Sequence, residues 1–455
     1  MHNDATILPK ALKYVSPIPG WKAQCSIVFR TFAYASKFFM FLVMFCAPRK
    51  TSPRTTKKVP CYRRHIHKEA KVLNLINWLQ TFIRKCLMTM NTALPTMHSR
   101  HHAPRDYAQT PLNVYWEMTQ SCALACRHCR AEAMLAAHPE QLTTTEGKAL
   151  LRQVAAFGDP RPQLILTGGD PLQRPDLFEL IDDAVQLGIS VSITPAATPR
   201  LTRDVVAQLK AHGVAGLGLS LDGASAERHD AIRGIAGCFE RTIQAARWAA
   251  ELDIPLQVNT LVAAETADDL PAIYALLQQL RIARWSLFFL ISVGRGRVLE
   301  ALEPAQGETL MQWVYATSRT APFAVATTEA PSYRRVALAL MQAEGLSPAE
   351  IKQTPTYRGF GIRDGHGIVF VSHTGDICPA GFLPLAAGNV RHDDLPNVYR
   401  HAPLFQNLHQ PNSFSGKCGH CEHRIICGGS RSRAFSANGD PLAEDPFCPY
   451  HPGLN

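Results

Sequence analysis

Residues 112–129, LNVYWEMTQSCALACRHC, contain the two features that decide the fold. The first half is a short apolar and aromatic segment, which predicts a buried β-strand. The second half carries Cys122, Cys126 and Cys129 in the pattern Cys-x3-Cys-x2-Cys, without the period of a helix or a strand. The stretch therefore predicts a strand that ends in a cysteine-rich loop.

Downstream, short apolar segments alternate with amphipathic ones, and this alternation predicts six strand–helix units. After the first strand, the predicted strands are QLILTGG (163–169), ISVSIT (189–194), GLGLSLDG (216–223), PLQVNTLV (255–262) and WSLFFLIS (285–292). The predicted helices cover residues 143–157, 176–188, 202–213, 239–251 and 268–280. Alternating β and α units imply a parallel sheet covered by helices. We expect an α/β fold, a partial (β/α)6 TIM-type barrel, with its chemistry at the carboxyl ends of the strands.

The chain divides into four predicted sections. These are a basic extension (1–89), an N-terminal arm (90–110), the partial barrel (111–325) and a loop-rich C-terminal domain that contains several cysteines (326–455). Within the last section, GIVFVSHTGDICPAGF (367–382) predicts a β-hairpin with its turn at Gly375-Asp376. The rest of this section has little periodicity, so we expect its cysteines to stabilise it.

Charge separates the first hundred residues from the remainder. Residues 1–100 hold 17 Lys+Arg and 2 Asp+Glu, whereas residues 101–455 hold 30 and 35. The body is therefore slightly acidic, which argues against a nucleic-acid-binding surface there. The extension is interpreted as an over-extended gene start, with initiation at Met88, Met90 or Met97; a targeting peptide or a membrane-surface anchor is the alternative. No apolar run is long enough for a membrane-spanning helix.

Two groups of cysteines carry the chemistry of the body. Three thiolates on one short loop are typical of an iron–sulfur centre with one iron left open, since a zinc site normally pairs Cys-x2-Cys motifs or adds His. The second group is Cys418-x2-Cys421-x5-Cys427-x20-Cys448. Four cysteines could close either a zinc site or a four-iron cube, and the spacing leaves both open. Cys238 is expected to serve packing only.

The order strand, CxxxCxxC, then Gly-Gly-Asp after the second strand resembles the radical S-adenosylmethionine (SAM) superfamily. The resemblance implies that Cys122, Cys126 and Cys129 hold a [4Fe–4S] cluster whose open iron is chelated by SAM. It also implies cleavage of SAM to a 5′-deoxyadenosyl radical that abstracts hydrogen from the substrate. The implied SAM-binding residues are His128, Gly168, Gly169, Asp170, Ser220, Asp222 and Arg233. The segment ITPAAT (193–198) lacks the Asn that members of the family carry at the end of strand three.

The C-terminal section resembles the SPASM/twitch extension of that superfamily, and in particular the NirJ-like proteins of haem d1 and alternative haem synthesis and the PqqE-like enzymes. The resemblance implies one auxiliary [4Fe–4S] cluster on Cys418, Cys421, Cys427 and Cys448, with Cys378 as a further candidate ligand. Asp393 and Ser430 stand where the full pattern has cysteines, so the first auxiliary cluster is expected to be absent.

The expected substrate is a carboxylate-bearing tetrapyrrole, and Arg295 and Arg297 of the GRGR turn (294–297) are candidates to bind its carboxylates. The alternatives are a peptide-modifying SPASM maturase and a non-catalytic zinc or iron–sulfur binding module. The expected partner is a reductant such as flavodoxin or ferredoxin, with no nucleic acid. Labile clusters and reduced thiols favour the cytoplasm.

Overall fold

A computed structural model describes residues 105–453. The predicted extension (1–89) and most of the predicted arm (90–110) lie outside these residues. The described part contains ten strands and thirteen α-helices. The strands are β1 (Asn113–Glu117), β2 (Gln163–Thr167), β3 (Val191–Ile193), β4 (Gly216–Ser220), β5 (Leu256–Val262), β6 (Arg284–Phe289), β7 (Ala324–Thr328), β8 (Ile368–Val371), β9 (Asp376–Cys378) and β10 (Gly388–Asn389).

The helices of the barrel follow the strands in regular alternation. They are α1 (Thr144–Ala155), α2 (Leu177–Gln186), α3 (Arg203–Ala211), α4 (Ala226–Arg233), α5 (Cys238–Glu251), α6 (Leu270–Leu277), α7 (Pro304–Thr320) and α8 (Tyr333–Ala343). Shorter helices follow: α9 (Pro348–Gln353), α10 (Leu395–His401), α11 (Pro403–His409), α12 (Gly416–His420) and α13 (Arg431–Asn438).

The predicted start of α1 illustrates how local sequence determines an element. Thr143 accepts a hydrogen bond from the backbone N–H of Glu146, and the Glu146 carboxylate accepts one from the N–H of Thr143. This reciprocal pair satisfies two N–H groups that a helix end leaves free. The buried face of α1 consists of Gly147, Leu150, Leu151 and Val154.

The ten strands form one open sheet in the order β10-β9-β8-β1-β2-β3-β4-β5-β6-β7. Neighbouring strands from β1 to β7 are parallel, and the prediction of a partial barrel is confirmed. Parallel pairing brings the carboxyl ends of β1 to β7 to the same edge, so the loops that follow them lie together.

The C-terminal section continues this sheet. Strand β8 pairs parallel with β1, with Asn113 opposite Ile368 and Trp116 opposite Val371. Strand β9 returns antiparallel to β8, which confirms the predicted hairpin. The turn covers residues 372–375, so its predicted position at Gly375-Asp376 is wrong, because Asp376 already pairs with Ser372 and begins β9. One hydrophobic core runs through both sections and contains, for example, Trp116, Trp285 and Tyr399.

The sequence analysis missed strand β10 and the short helices α9 to α13, as well as strand β7 and helix α4 near the barrel. Strand β7 is only partly buried and has the sequence AVATT, which carries no strong strand signal. Helix α4 is eight residues long and polar, AERHDAIR, so it has no apolar stripe to reveal it. No helix among residues 105–453 combines the length and apolar composition needed to cross a membrane.

Candidate active site

The loop after β1 brings Cys122, Cys126 and Cys129 together at the carboxyl edge of the sheet. Cys122 and Cys126 are 7% and 8% exposed and lie in one apolar cluster, against which Cys129 packs. The same cluster contains Cys238, the first residue of α5. Sequence reasoning assigned Cys238 to packing, and nothing in its spacing indicates that it lies beside the other three.

Backbone contacts from neighbouring strand ends position this cysteine loop. The N–H groups of Gly169 and Asp170 donate to the carbonyls of Thr119 and Ser121, both at 2.7 Å. A Cβ added to Gly169 would lie 2.4 Å from the Ser121 carbonyl oxygen. The Gly168-Gly169 pair is therefore required for the close approach of two backbones, in addition to any contact with a ligand.

Helix α4 approaches the loop from the other side. Gly234 ends α4 in the left-handed conformation, with φ of 70°. A Cβ at this position would lie 2.7 Å from the carbonyl oxygen of Ala125, and the N–H of Arg127 donates to the Ile232 carbonyl at 2.9 Å. The end of α4 therefore fixes the backbone of the loop on both sides of Cys126.

Asp170 is fully buried, and its carboxylate links β2 to the segment after β3. It accepts hydrogen bonds from the N–H of Leu172 (3.1 Å), the N–H of Ala196 (3.3 Å) and the hydroxyl of Thr198 (3.1 Å). Burial raises the pKa of Asp170 despite these donors. Thr198 therefore supplies a polar contact in the segment that lacks the family's Asn.

Asp222 and Arg233 form a buried ion pair beside the cysteine loop. Their Oδ2 and Nη2 atoms are 2.6 Å apart, and Nη1 of Arg233 donates to the Cys126 sulfur at 3.7 Å. Asp222 also accepts from the N–H of Leu261 at 2.7 Å. Burial alone would raise the pKa of Asp222, but Arg233 holds it below its ordinary value. The pair therefore stays charged.

Two histidines flank this ion pair, the buried His229 and the half-buried His128. Nδ1 of His229 accepts from the N–H of Asp222 at 3.0 Å, and its Nε2 has no hydrogen-bond partner. Burial lowers the pKa values of His128 and His229 to about 4, and Arg233 acts in the same direction. Both rings are therefore neutral at pH 7. The sequence analysis singled out His128 but missed His229, which precedes Arg233 by one helical turn on α4.

Ser220 and Arg295 complete the set of predicted residues at this edge. Ser220 is the last residue of β4 and lies opposite Asn259 of β5. The N–H of Arg295 donates to the Cys129 carbonyl at 3.0 Å, so the turn after β6 is attached to the cysteine loop. Two of its guanidinium nitrogens, Nε and Nη2, are buried without a partner, whereas Arg297 is exposed.

The second cysteine group lies around α12 and the loop before α13. The N–H of Gly429 donates to the Cys427 sulfur, and the N–H of Asp445 donates to the Cys418 sulfur, both at 3.4 Å. Nη2 of Arg431 donates to the Cys418 sulfur at 3.6 Å. Burial raises the pKa of Cys427 to about 12. A thiol in this position requires a metal to be present as thiolate.

Cys378 lies in a different place. It ends β9, opposite Phe370 of β8, and the charged groups that act on it are Asp376, Glu117 and Arg130. Burial raises its pKa to about 12. Its charged neighbours therefore belong to the hairpin, to the end of β1 and to the residue that follows Cys129.

Glu117 is buried and contacts two charged or polar side chains from other parts of the chain, a role that the sequence analysis missed. One carboxylate oxygen is 2.7 Å from Nδ1 of His373, and the other is 3.1 Å from Nη1 of Arg130. A charged residue within the apolar segment VYWEM was the available signal. Through these contacts the hairpin is attached to the residue that follows Cys129.

The donors around the thiols fit an iron–sulfur centre. Sulfur atoms of both groups accept hydrogen bonds from backbone N–H groups and from one buried arginine each, an environment that suits thiolate ligands. Among residues 105–453, no three His, Cys, Asp or Glu side chains form a ready site for a single metal ion. A cube of four irons spaces its thiolates more widely than one ion does.

Comparison with known proteins gives the family. Residues 116–277 match the model of the radical SAM superfamily. The chain is 36% identical to the AdoMet-dependent heme synthase of Methanosarcina barkeri, over 75% of this chain and 97% of that protein. It is 38% identical to the AdoMet-dependent heme synthase of Oleidesulfovibrio alaskensis, over 74% of this chain and 87% of that one.

The solved structures give the same fold. SuiB of Streptococcus suis, bound to the precursor peptide SuiA, matches with a TM-score of 0.59 at 18% identity, over 84% of this chain and 90% of that one. Enzymes of this family use a [4Fe–4S] cluster and SAM. With a cysteine loop at the carboxyl edge of a parallel sheet, and with relatives at this level of identity, the chain belongs to the radical SAM superfamily and is an SAM-dependent enzyme.

Proposed function

We propose that the protein is a haem synthase of the radical SAM type, which abstracts hydrogen from a carboxylate-bearing tetrapyrrole and oxidises it towards haem. The observation that carries the proposal is the 36% identity to a haem synthase over 97% of that relative's length. The described body, residues 105–453, is long enough to contain the whole of that match.

The first cysteine group would hold the [4Fe–4S] cluster through Cys122, Cys126 and Cys129. When bound, the cluster and SAM together supply the 5′-deoxyadenosyl radical. We assign the binding of SAM to the residues around this loop: His128, Gly168, Gly169, Asp170, Ser220, Asp222 and Arg233. The neutral rings and the buried ion pair support this assignment, because they exclude water from the loop while adding little net charge.

The second cysteine group would hold the auxiliary cluster through Cys418, Cys421, Cys427 and Cys448. Abstraction of a hydrogen atom leaves one unpaired electron on the substrate, and net oxidation requires an acceptor for it. The auxiliary cluster is proposed as that acceptor. We propose that Cys378 remains a thiol of the β8–β9 hairpin and does not join the second cysteine group, because Glu117 and Arg130 are among its charged neighbours.

Arg295 is proposed to bind a substrate carboxylate. Its Nε and Nη2 atoms are buried and unpartnered, and its backbone is attached to the cysteine loop. A guanidinium with two free donors suits a carboxylate, which accepts two parallel hydrogen bonds. Arg297, in the same turn, is exposed and is not assigned this role.

The experiment that tests the function uses anaerobic protein with SAM, dithionite and Fe-coproporphyrin III as the probe substrate. We expect 5′-deoxyadenosine, methionine and a haem product by mass spectrometry, with about eight irons per chain, four for each cube. Cys126→Ala should abolish SAM cleavage, whereas Cys238→Ala, in the same apolar cluster, should retain it. SAM cleavage without any change in the tetrapyrrole would refute the substrate assignment.

Arg295→Met tests the substrate site separately. Loss of a charge-assisted hydrogen bond should raise the KM for the tetrapyrrole about 10- to 100-fold. The matched control is Arg297→Met in the same turn, which should leave KM unchanged. Equal effects of the two substitutions would contradict the assignment.

A peptide-modifying maturase is the second candidate, favoured by 30% identity to a mycofactocin maturase over 92% of its length. If the substrate of this enzyme is a peptide, the tetrapyrrole in the assay above should remain unchanged. For either substrate, we propose a flavodoxin or ferredoxin as the reductant. We propose the cytoplasm as the location, because labile clusters and reduced thiols need a reducing compartment.

A further inference from the structure

Six arginines are buried among residues 105–453, and four of them pair with a carboxylate. The pairs are Arg174 with Asp176, Arg233 with Asp222, Arg335 with Glu308 and Arg433 with Asp445. The two buried arginines that form no ion pair with a carboxylate in the described chain are Arg363 and Arg431. Arg431 contacts Cys418 of the second cysteine group, and Arg363 lies against Gly428, the residue after Cys427.

Arg431 is the first residue of α13 and is fully buried. Its Nη2 atom donates to the Cys418 sulfur at 3.6 Å, and its Nη1 atom donates to the Ala443 carbonyl at 2.7 Å. Its guanidinium carbon lies 4.4 Å from the ring centre of Phe414. These contacts fix the side chain and satisfy its hydrogen bonds, but none of them carries a full negative charge.

Arg363 lies against the loop that follows Cys427. It donates to the carbonyls of Gly361 at 2.9 Å and Leu408 at 3.0 Å. A Cβ added to Gly428 would lie 2.9 Å from its Cδ atom, so the side chain touches the cysteine loop itself. Burial lowers the pKa of Arg363 to about 9, and the neighbouring Arg334 and Arg431 act in the same direction.

Two uncompensated buried charges are expensive unless an anion lies beside them. Four thiolates around a metal or a cluster supply such an anion, because their charge exceeds that of the metal they hold. The two arginines therefore lie where a thiolate centre on the second cysteine group would supply their countercharge.

At the first cysteine group, by contrast, the arginine that donates to a cysteine sulfur is paired with a carboxylate. Arg233 contacts Cys126 at 3.7 Å, nearly the same distance as Arg431 to Cys418. However, the charge of Arg233 is neutralised by Asp222 at 2.6 Å. A net positive surrounding stabilises the reduced, more negative form of a cluster, and a neutral one does so less.

We propose that Arg431 and Arg363 provide the positive charge that balances the thiolate centre on Cys418, Cys421, Cys427 and Cys448, and that they raise its reduction potential above that of the first centre. The second clause rests on the proposed function, because it takes the centre to be a cluster. Arg431 and Arg363 are thus positioning residues that direct an electron from the substrate towards the second centre.

The test compares Arg431→Met, Arg363→Met and Arg431→Lys with the wild-type protein. Potentiometric titration followed by electron paramagnetic resonance gives the potential of each centre, and iron release to a chelator gives its retention. We expect both methionine variants to lower the potential of the second centre only and to release its iron about 10- to 100-fold faster. Arg431→Lys keeps the charge and should shift the potential less.

The matched control is Arg174→Met, a buried arginine whose partners are Asp176 and the carbonyls of Met118 and Leu142. It should change neither measurement at the second centre. Unchanged potential and iron release in both Arg431→Met and Arg363→Met would overturn the proposal.

If the second group holds zinc in the wild-type protein, the auxiliary cluster of the proposed function is wrong, and so is the clause on reduction potential. The rate of zinc release then still tests the proposed charge balance. Faster release from the methionine variants supports it, and an unchanged rate overturns it.

Discussion

At the scale of single residues, Asp222 connects the parts of the candidate site. Its carboxylate holds Arg233, which contacts Cys126, and it accepts the N–H of Leu261 from β5. The family resemblance implies that Asp222 and Arg233 contact SAM. In the structure they also contact each other, so each keeps the other charged in a buried place.

Asp222→Asn removes one partner of this pair and leaves Arg233 buried without a countercharge. Breaking a buried ion pair in this way costs about 3–5 kcal/mol. We expect a decrease of that size in the free energy of unfolding, measured by guanidinium denaturation under anaerobic conditions.

Asp268→Asn is the control, because Asp268 pairs with Arg228 at the surface and its side chain is 69% exposed. It should cost less than about 1 kcal/mol. Similar losses in the two variants would mean that the buried pair contributes no more than a surface one.

At the scale of elements, the cysteine loop has no regular structure and depends on its neighbours for its shape. The ends of β2 and α4 contact its backbone so closely that only glycine fits at Gly169 and Gly234. Strand ends meet at this edge because the sheet is parallel, so one loop can be held from several sides.

Gly234→Ala should displace the loop and reduce the iron bound by the first centre. The added Cβ would meet the Ala125 carbonyl at 2.7 Å. Gly439→Ala provides a matched control, because Gly439 also ends a helix at positive φ, 73°, but a Cβ there meets nothing within 4 Å. Both variants carry the same backbone strain, about 1 kcal/mol.

Iron and sulfide content, with the melting temperature, separates the two effects. A loss of iron in Gly234→Ala but not in Gly439→Ala is the expected result. Equal iron content in both would show that the loop tolerates the displacement.

The sequence predicted those parts of the fold that local pattern encodes. The strand over 113–117 and the capping box at Thr143 follow from apolar segments and helix-start chemistry. Helix α4 was missed because it is polar and short, and its role depends on which loop it touches. The contact between Glu117 and His373 could not be predicted, because it joins positions 256 residues apart. The contact between Arg431 and Cys418 could not be predicted, because the segment between them has little periodicity. The assignment of SAM and of the two clusters to particular residues stays a prediction.

At the scale of the whole molecule, four neutral histidines, one buried and three half-buried, make stability depend on pH. Burial lowers the pKa values of His128, His229 and His409 to about 4 and that of His366 to about 3, with Arg363 adding to the effect at His366. An unfolded histidine binds a proton near pH 6.5. Between that pH and about 4, the unfolded chain therefore binds more protons, and stability falls as pH falls.

We expect the free energy of unfolding to decrease from pH 7 to pH 5 by up to about 1.4 kcal/mol per pH unit for each such histidine. His366→Phe should reduce this slope by one proton, whereas His392→Gln, at an exposed position, should not. Guanidinium denaturation at several pH values measures the slope. Identical slopes in wild type and His366→Phe would show that this ring does not contribute.

The continuous sheet also bears on the predicted boundary near residue 325. Removing everything after Thr328 would expose the edge of β1 and the core residues that pack on Val369, Val371 and Tyr399. We expect the shortened chain to aggregate, as judged by size-exclusion chromatography and limited proteolysis. A monomeric product with a sharp unfolding transition would instead show that the barrel section folds alone.

The pairing of β1 with β8 has a consequence for synthesis on the ribosome. Asn113 cannot pair with Ile368 until that residue, 255 positions later in the chain, has been synthesised. At about 5–20 residues per second, this delay is roughly 13–50 s. During that time the cysteine loop has emerged, but the strand that precedes it has an open edge. We therefore expect delivery of the first cluster to follow chain release, and a chaperone that covers β1 to increase the yield of loaded enzyme.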